Sequence, residues 1–303
     1  MAMASVVVLL GLLAMAVQPS IQQDILNPVV GSSKKINAVS AFGLIVTSST
    51  AEKALNDSGI FTVDSYVDMK GRRYLMGTIS GANVVYVNSA NRPMVNVGLT
   101  LQQMVELFNI RGIIHFGSAG GIRNSLTVGT VVAPALIGHT GVWTWNKHGE
   151  SNGQLVFGKF NSPENGDNLL GSVEFGGSEV YRQGSLEKNQ FWLAPNARWL
   201  WLASKIEGVV TGLKAASSDI YVKNYAYREF LWYTFKASTV DTTSSAVALG
   251  AISNDLPFIV FRGVANTAGA SDQSNGTLAN ENAVKAVNRF IFLATVPREV
   301  YED

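Results

Sequence analysis

The 303-residue chain contains no cysteine, which excludes disulfides, thiolate catalysis, Cys-ligated zinc and iron–sulfur chemistry. Histidine is almost as scarce. His115, His139 and His148 are too few and too scattered for a His-based metal site, and no metal is expected. The chain also lacks a dominant charge: 23 Lys and Arg face 22 Asp and Glu, and no run of five like charges occurs. Nucleic acid and anionic membrane both require clustered basic charge, so neither is an expected partner. Proline is sparse at 8 residues, while 47% of the chain is hydrophobic, enough for a sizeable core without covalent staples.

The first 17 residues carry no charged side chain. Val6 to Val17 is almost wholly apolar, and Ala14-Met15-Ala16 fits a small-x-small cleavage site ahead of Gln18-Pro19-Ser20. Residues 1–21 therefore read as a signal peptide cleaved near Ala16. An uncleaved anchor is the competing reading, although the run is shorter than the roughly 20 residues a spanning helix prefers. Either reading directs the chain into the secretory pathway, with the vacuole or the cell exterior as destination and no integral span after cleavage. Residues 22–37 form a polar linker, and 38–303 read as one domain. Asn56-Asp57-Ser58 and Asn275-Gly276-Thr277 are then candidate glycosylation triplets.

Beyond the linker, apolar runs of strand length alternate with helical periodicities. Phe42 to Thr47 suggests a buried strand that ends in Ser48-Ser49-Thr50, where a helix starts. Phe61 to Val67, Arg73 to Ile79 and Asn83 to Val87 suggest an antiparallel meander. Thr100 is a plausible N-cap for a helix with Leu101, Met104, Val105 and Phe108 on one face. Further strands are expected at Gly112 to Phe116, Val128 to Pro134, Val209 to Ala215 and Pro257 to Val264. Helices are expected at 196–206, 222–235, 244–253 and 281–293. The pattern predicts an α/β fold, a three-layer α/β/α sandwich around a central mixed β-sheet. The Gly-, Asn- and Ser-rich stretch at about 146–177 reads as a loop insertion that either borders a site or is plain surface.

The densest chemical signal is His115-Phe116-Gly117-Ser118-Ala119-Gly120-Gly121-Ile122, followed by Leu126-Thr127-Val128-Gly129-Thr130-Val131-Val132. A buried strand that opens into glycines and a serine offers backbone N–H groups and a hydroxyl to an anion or a sugar oxygen. The whole pattern resembles the signature of nucleoside phosphorylases and methylthioadenosine/adenosylhomocysteine nucleosidases. Leu256-Pro257-Phe258-Ile259-Val260-Phe261-Arg262-Gly263-Val264-Ala265-Asn266 is similar to that superfamily's Pro-Phe strand, which ends in Arg-Ala-Ile-Ser-Asp. Ser217-Ser218-Asp219-Ile220-Tyr221 stands where the family has Ser-Gly-Asp-x-Phe. His139-Thr140-Gly141-Val142-Trp143-Thr144-Trp145 resembles the plant bark storage branch. Its two Trp side chains either pack on the sheet or line the pocket.

The resemblance implies a nucleoside phosphorylase-like fold and a reaction that splits the bond between ribose C1′ and a base. In the family, an Asp at the end of the Arg-Ala-Ile-Ser-Asp strand donates a proton to the purine, and a Glu grips the ribose hydroxyls. Here the matching positions hold Asn266 and Thr243. Asn266 has no proton to give at neutral pH, and Thr243 cannot make the charge-assisted bonds of a carboxylate. Asp241 and Asp272 are acids that a register shift could bring in; a solvated or capping role ahead of the helix is the expected one for Asp241.

Ser118, with Gly117, Ala119 and Gly120, matches the anion or ribose side of the pocket, and Tyr221 matches the family's stacking ring. Ser48 offers a hydroxyl, His139 is a candidate ligand contact, and Arg262 reads equally as ligand contact or structural ion pair. The resemblance implies no cofactor beyond phosphate as co-substrate of a phosphorolytic reaction, and it implies a homo-oligomer. Three functions stay open: a storage protein with N-ribosyl cleavage lost, an active purine or cytokinin riboside phosphorylase or nucleosidase, and a repurposed pocket for another small plant metabolite.

Overall fold

A computed structural model describes residues 35–150, 153–157, 159–162, 166–270 and 274–296. The signal peptide, most of the linker and Asp272 lie outside the described residues. The first strand, β1 (Ala41–Val46), is buried along its whole length and sorts its side chains by parity. Phe42, Leu44 and Val46 enter one apolar cluster, Ala41 and Ile45 another. A strand with two dry faces belongs in the interior of a sheet covered on both sides.

That sheet grows outward from β1. The expected meander is present as β2 (Phe61–Met69), β3 (Arg72–Ile79) and β4 (Ala82–Asn88), with β4 parallel to β1. On the other side of β1 lies β5 (Ile110–Gly121), also parallel. There follow β6 (Val131–Val132) and β7 (Leu136–His139). A series of short strands comes next: β8 (Trp143–Asn146), β9 (Leu155–Val156), β10 (Lys159–Ser162), β11 (Gly166–Leu169), β12 (Ser172–Phe175), β13 (Ser178–Arg182), β14 (Ser185–Gln190) and β15 (Trp192–Leu193). The chain then adds β16 (Val209–Val210), β17 (Lys214–Ser217), β18 (Ala237–Asp241) and β19 (Phe258–Thr267). The main sheet runs β15-β7-β17-β18-β5-β1-β4-β3-β2, with β19 parallel to β5 and antiparallel to β6. Because β18 is antiparallel to β5, the sheet is mixed, as the sequence pattern predicts.

Among the described residues there are six helices. They are α1 (Ser49–Ser58), α2 (Val95–Leu107), α3 (Ala197–Ala203), α4 (Tyr225–Phe235), α5 (Ser244–Ser253) and α6 (Gly276–Thr295). Helices α1, α3 and α6 cover one face, packing Leu55, Leu202 and Val287 with Leu44, Phe116 and Phe261. Helices α2 and α5 cover the other, packing Leu101, Met104 and Val247 with Ile45, Ile113 and Val260. The result is the three-layer α/β/α arrangement. Two close approaches fix it. A Cβ on Gly263 of β19 would stand 2.0 Å from the carbonyl oxygen of Ala279, so α6 touches the strand backbone to backbone. A Cβ on Gly250 of α5 would stand 3.1 Å from the Leu101 side chain of α2. Near the end of β19 the register against β5 slips between Val264 and Asn266, leaving Ala265 without a partner.

Several expectations are corrected. Thr100 does not cap α2, which begins at Val95; it is buried inside the helix, where its hydroxyl donates to Asn96 O at 2.7 Å and accepts from Arg72 Nε at 2.6 Å. The run Val128 to Pro134 contributes only the two residues of β6, and Val209 to Ala215 splits between β16 and β17. The stretch read as a loop insertion is built of short antiparallel strands, with β12 pairing both β8 and β9.

Candidate active site

The site forms where β5 changes neighbours. β1 pairs with β5 as far as His115, and β18 joins it only at Gly120 and Gly121. Between those points one edge of β5 is left without a described partner. A switch of this kind opens a crevice at the carboxyl ends of parallel strands, and here a cavity of ≈ 340 Å³ occupies it. The Gly-rich segment is not the turn the sequence suggests. β5 runs on through Gly121, paired with β19 along one edge, so what it presents to the cavity is the backbone of its other, unpaired edge and not a loop.

Ten of the eleven candidate residues meet on this cavity. Gly117, Ser118, Ala119 and Gly120 come from β5, Arg262 and Asn266 from β19, Asp241 from the end of β18 and Thr243 from the turn between β18 and α5. Ser48 and Tyr221 complete the set. His139 is the exception. It is not among the lining residues, and its Nδ1 lies 3.0 Å from Ser245 Oγ and 3.3 Å from Ser217 O.

Beneath the cavity lies a dry polar network. Asp241 and Arg262 form an ion pair at 3.0 Å, with each side chain 2% exposed. Asp241 Oδ1 also accepts from the backbone N–H of Thr243 at 2.8 Å and of Ser244 at 2.7 Å, while Oδ2 accepts from Ser244 Oγ at 2.7 Å. Asp241 thus caps α5 from two residues before Thr243, as a capping acid should, but it is buried and not solvated. Burial pushes its carboxyl up, yet Arg262 and the Thr243 and Ser244 donors outweigh burial and hold it below the ordinary value. The carboxylate is therefore ionised and has no proton to give.

His115 completes the network. Its Nδ1 lies 2.7 Å from Ile45 O, which can only accept, and its Nε2 lies 2.6 Å from Arg262 Nη2, which can only donate. The ring must therefore be the neutral tautomer with the proton on Nδ1. Burial, then Arg262, drive its pKa down to about 3. Arg262 Nη2 also donates to Thr243 Oγ1 at 2.7 Å, so the residue in the sugar-gripping position is held by Arg262.

The rest of the lining is open and polar. Asn266 donates from Nδ2 to Thr267 O at 3.0 Å. Ser48 caps α1, its Oγ accepting from Ala51 N at 3.2 Å. Tyr221 is 53% exposed and carries the Arg92 guanidinium 4.3 Å from its ring centroid, which leaves a flat aromatic surface at the cavity rim. Sequence reasoning missed Asn91, Thr50 and Lys223, which also line the cavity. Asn91 had a findable signal, because it lies three residues past the carboxyl end of β4, a strand parallel to β1. The two Trp residues of the His-Thr-Gly-x-Trp segment do not line the cavity. Trp143 packs on Phe175 at 5.7 Å and Trp145 stacks on Phe157 at 5.1 Å, on the strands that follow β7. Among the described residues no cluster of three His, Asp or Glu is placed to hold a metal, and no helix is long and apolar enough to cross a membrane.

Comparison with known proteins places these features in context. The family model described as the phosphorylase superfamily matches residues 41–292. Bark storage protein A of Populus deltoides is 38% identical over 307 residues, covering 93% of this chain and 98% of that protein. A 5′-methylthioadenosine/S-adenosylhomocysteine nucleosidase from Helicobacter pylori, solved with butyl-thio-DADMe-Immucillin-A, superposes with a TM-score of 0.64 at 16% identity, covering 84% of this chain and 99% of that one. An Asp-to-Asn mutant of the Helicobacter pylori enzyme, with 5′-methylthioadenosine in its active site, superposes with a TM-score of 0.61 at 18% identity over 84% of this chain and 98% of that one.

Proposed function

This chain belongs to the phosphorylase superfamily, with bark storage proteins among its relatives, and we propose that it is a storage-type member whose cavity binds a nucleoside-like small molecule without cleaving it. One observation carries the reading: among the described residues the only carboxylate lining the cavity is Asp241, and both its oxygens are committed to Arg262, to the start of α5 and to Ser244. Cleavage of an N-ribosyl bond leaves negative charge on the departing purine, which a proton donor must relieve. Asp241 is held ionised, and Asn266 is an amide.

Binding is a separate matter from cleavage. The cavity is within the size range of small-molecule sites. It presents the Asn266 amide to a base edge, the Tyr221 ring to a base face and the Ser118 hydroxyl to a sugar. That a nucleosidase with an Asp-to-Asn substitution holds 5′-methylthioadenosine supports a site that keeps affinity while lacking a carboxyl. In this reading the protein needs no cofactor, enters the secretory pathway through its apolar N-terminus, accumulates in the vacuole or outside the cell, and assembles as a homo-oligomer.

The test is to incubate purified protein with adenosine, inosine and isopentenyladenosine, with and without phosphate, and to measure free base by chromatography. The expected result is no base above the protein-free control in any mixture. Base released in proportion to protein concentration would overturn the proposal.

A further inference from the structure

We propose that the ligand of this cavity is a phosphorylated nucleoside, whose phosphate oxygens bind Arg262 Nη1 and draw on the positive charge of Lys223. The inference rests on the ligand-binding reading above and specifies the ligand's class. Its main support is a donor with nothing to donate to. Arg262 Nε donates to Ser244 Oγ at 2.9 Å, and Nη2 is shared among Asp241, Thr243 and His115. Nη1 donates to no atom among the described residues, although the side chain is 2% exposed. Nη1 is not among the fully buried side-chain atoms left without a partner, so it opens to the cavity, where a ligand oxygen can accept from it.

Gly117 is what leaves Nη1 uncovered. A Cβ there would stand 2.7 Å from Nη1 and 4.0 Å from Cζ, so Nη1 is the part of the guanidinium that faces this glycine. Both residues line the cavity. A planar guanidinium with one nitrogen free suits an oxyanion better than a hydroxyl.

Charge points the same way. Asp241 neutralises Arg262, and Lys223 makes no ion pair among the described residues, so the described lining carries one uncompensated positive charge. A carboxylate at position 243 would repel an incoming anion, and Thr243 does not. Thr50 and Ser48 add hydroxyls at the first turn of α1, and a phosphomonoester has three acceptor oxygens to distribute over such donors. A neutral nucleoside would leave Lys223 without a counter-charge and would offer Nη1 only an uncharged acceptor.

The experiment is calorimetric titration of the purified protein with adenosine, adenosine 3′-monophosphate and adenosine 5′-monophosphate, at low and at physiological salt. At low salt at least one monophosphate is expected to bind about tenfold more tightly than adenosine, with the advantage shrinking as salt screens the charges. Gly117→Ala should remove most of that advantage. If that variant fails to fold, Lys223→Ala, at an exposed position, should cut monophosphate affinity roughly threefold or more. Equal affinity for adenosine and both monophosphates would overturn this inference and leave the ligand-binding reading intact. No binding of any of the three would overturn both.

Discussion

Replacing Asp241 with Asn removes one charge and almost no volume, so it isolates the value of the buried ion pair. In the parent, Arg262 is surrounded by Asp241, Thr243, Ser244 and His115, of which only Asp241 is charged. Breaking a buried pair from one side strands the other charge, at a cost of about 3–5 kcal/mol. An Asn side chain can still accept from the Thr243 and Ser244 N–H groups, so the cap on α5 survives. The expected loss is therefore about 3 kcal/mol for Asp241→Asn. Asp241→Ala, which also loses the cap, should lose about 1 kcal/mol more. For a domain of this size that corresponds to a fall in Tm of roughly 6–12 °C for the Asn variant. Thermal unfolding followed by circular dichroism measures it. The double variant Asp241→Asn, Arg262→Met removes the stranded charge and should regain most of the loss. A Tm for Asp241→Asn within about 2 °C of the parent, or a double variant no more stable than the single, would refute the reasoning.

His115 predicts a pH dependence. Its folded pKa of about 3 lies below the ordinary value of 6.5. The unfolded chain therefore takes up a proton first as the pH falls, and stability complete above pH 6.5 is lost progressively toward pH 3. In His115→Asn, whose amide can still donate to Ile45 O, urea unfolding should show a shallower loss below pH 6.5, by up to about 1.4 kcal/mol per pH unit. Parallel curves would exclude the assignment. Gly263→Ala should cost more than about 2 kcal/mol, because its Cβ meets the Ala279 carbonyl at 2.0 Å and neither backbone can withdraw. Gly98→Ala in α2, where a Cβ meets nothing within 4 Å, is the control and should stabilise slightly in the same melting assay.

The parts of this molecule that could be read in advance are those whose chemistry is local. Two-sided burial of β1 and β19 shows as unbroken apolar runs, and the turns of the meander show as Lys70-Gly71 and Ser80-Gly81. β18 was invisible because Ala-Ser-Thr-Val-Asp has neither alternation nor a long apolar run, yet all five residues are buried by the neighbours the fold supplies. Most candidate site residues were legible because they sit where strands end. Lys223 was not picked out, since nothing in its own neighbourhood distinguishes it from a surface polar residue. Asp241 was half legible. Its place two residues before a helix N-cap suggests a capping role, but its burial depends on Arg262, 21 positions later, which spacing alone cannot reveal. The Trp residues at 143 and 145 were ambiguous for a related reason: whether a ring lines a pocket or packs on a neighbour depends on Phe157 and Phe175, partners distant in sequence.

The unpaired Ala265 in β19 has a consequence for how this scaffold can change over time. Upstream of it, Phe258 to Phe261 answer to the two cores, Arg262 is held by Asp241, and Gly263 tolerates no side chain at all. Downstream, the slip in register frees Asn266 from the inside-outside alternation that governs the rest of the strand. Substitutions at that end can rewrite what the cavity offers a ligand while the layers behind it stay fixed. A lineage can thus exchange one chemistry for another, or give chemistry up, without having to find a new fold.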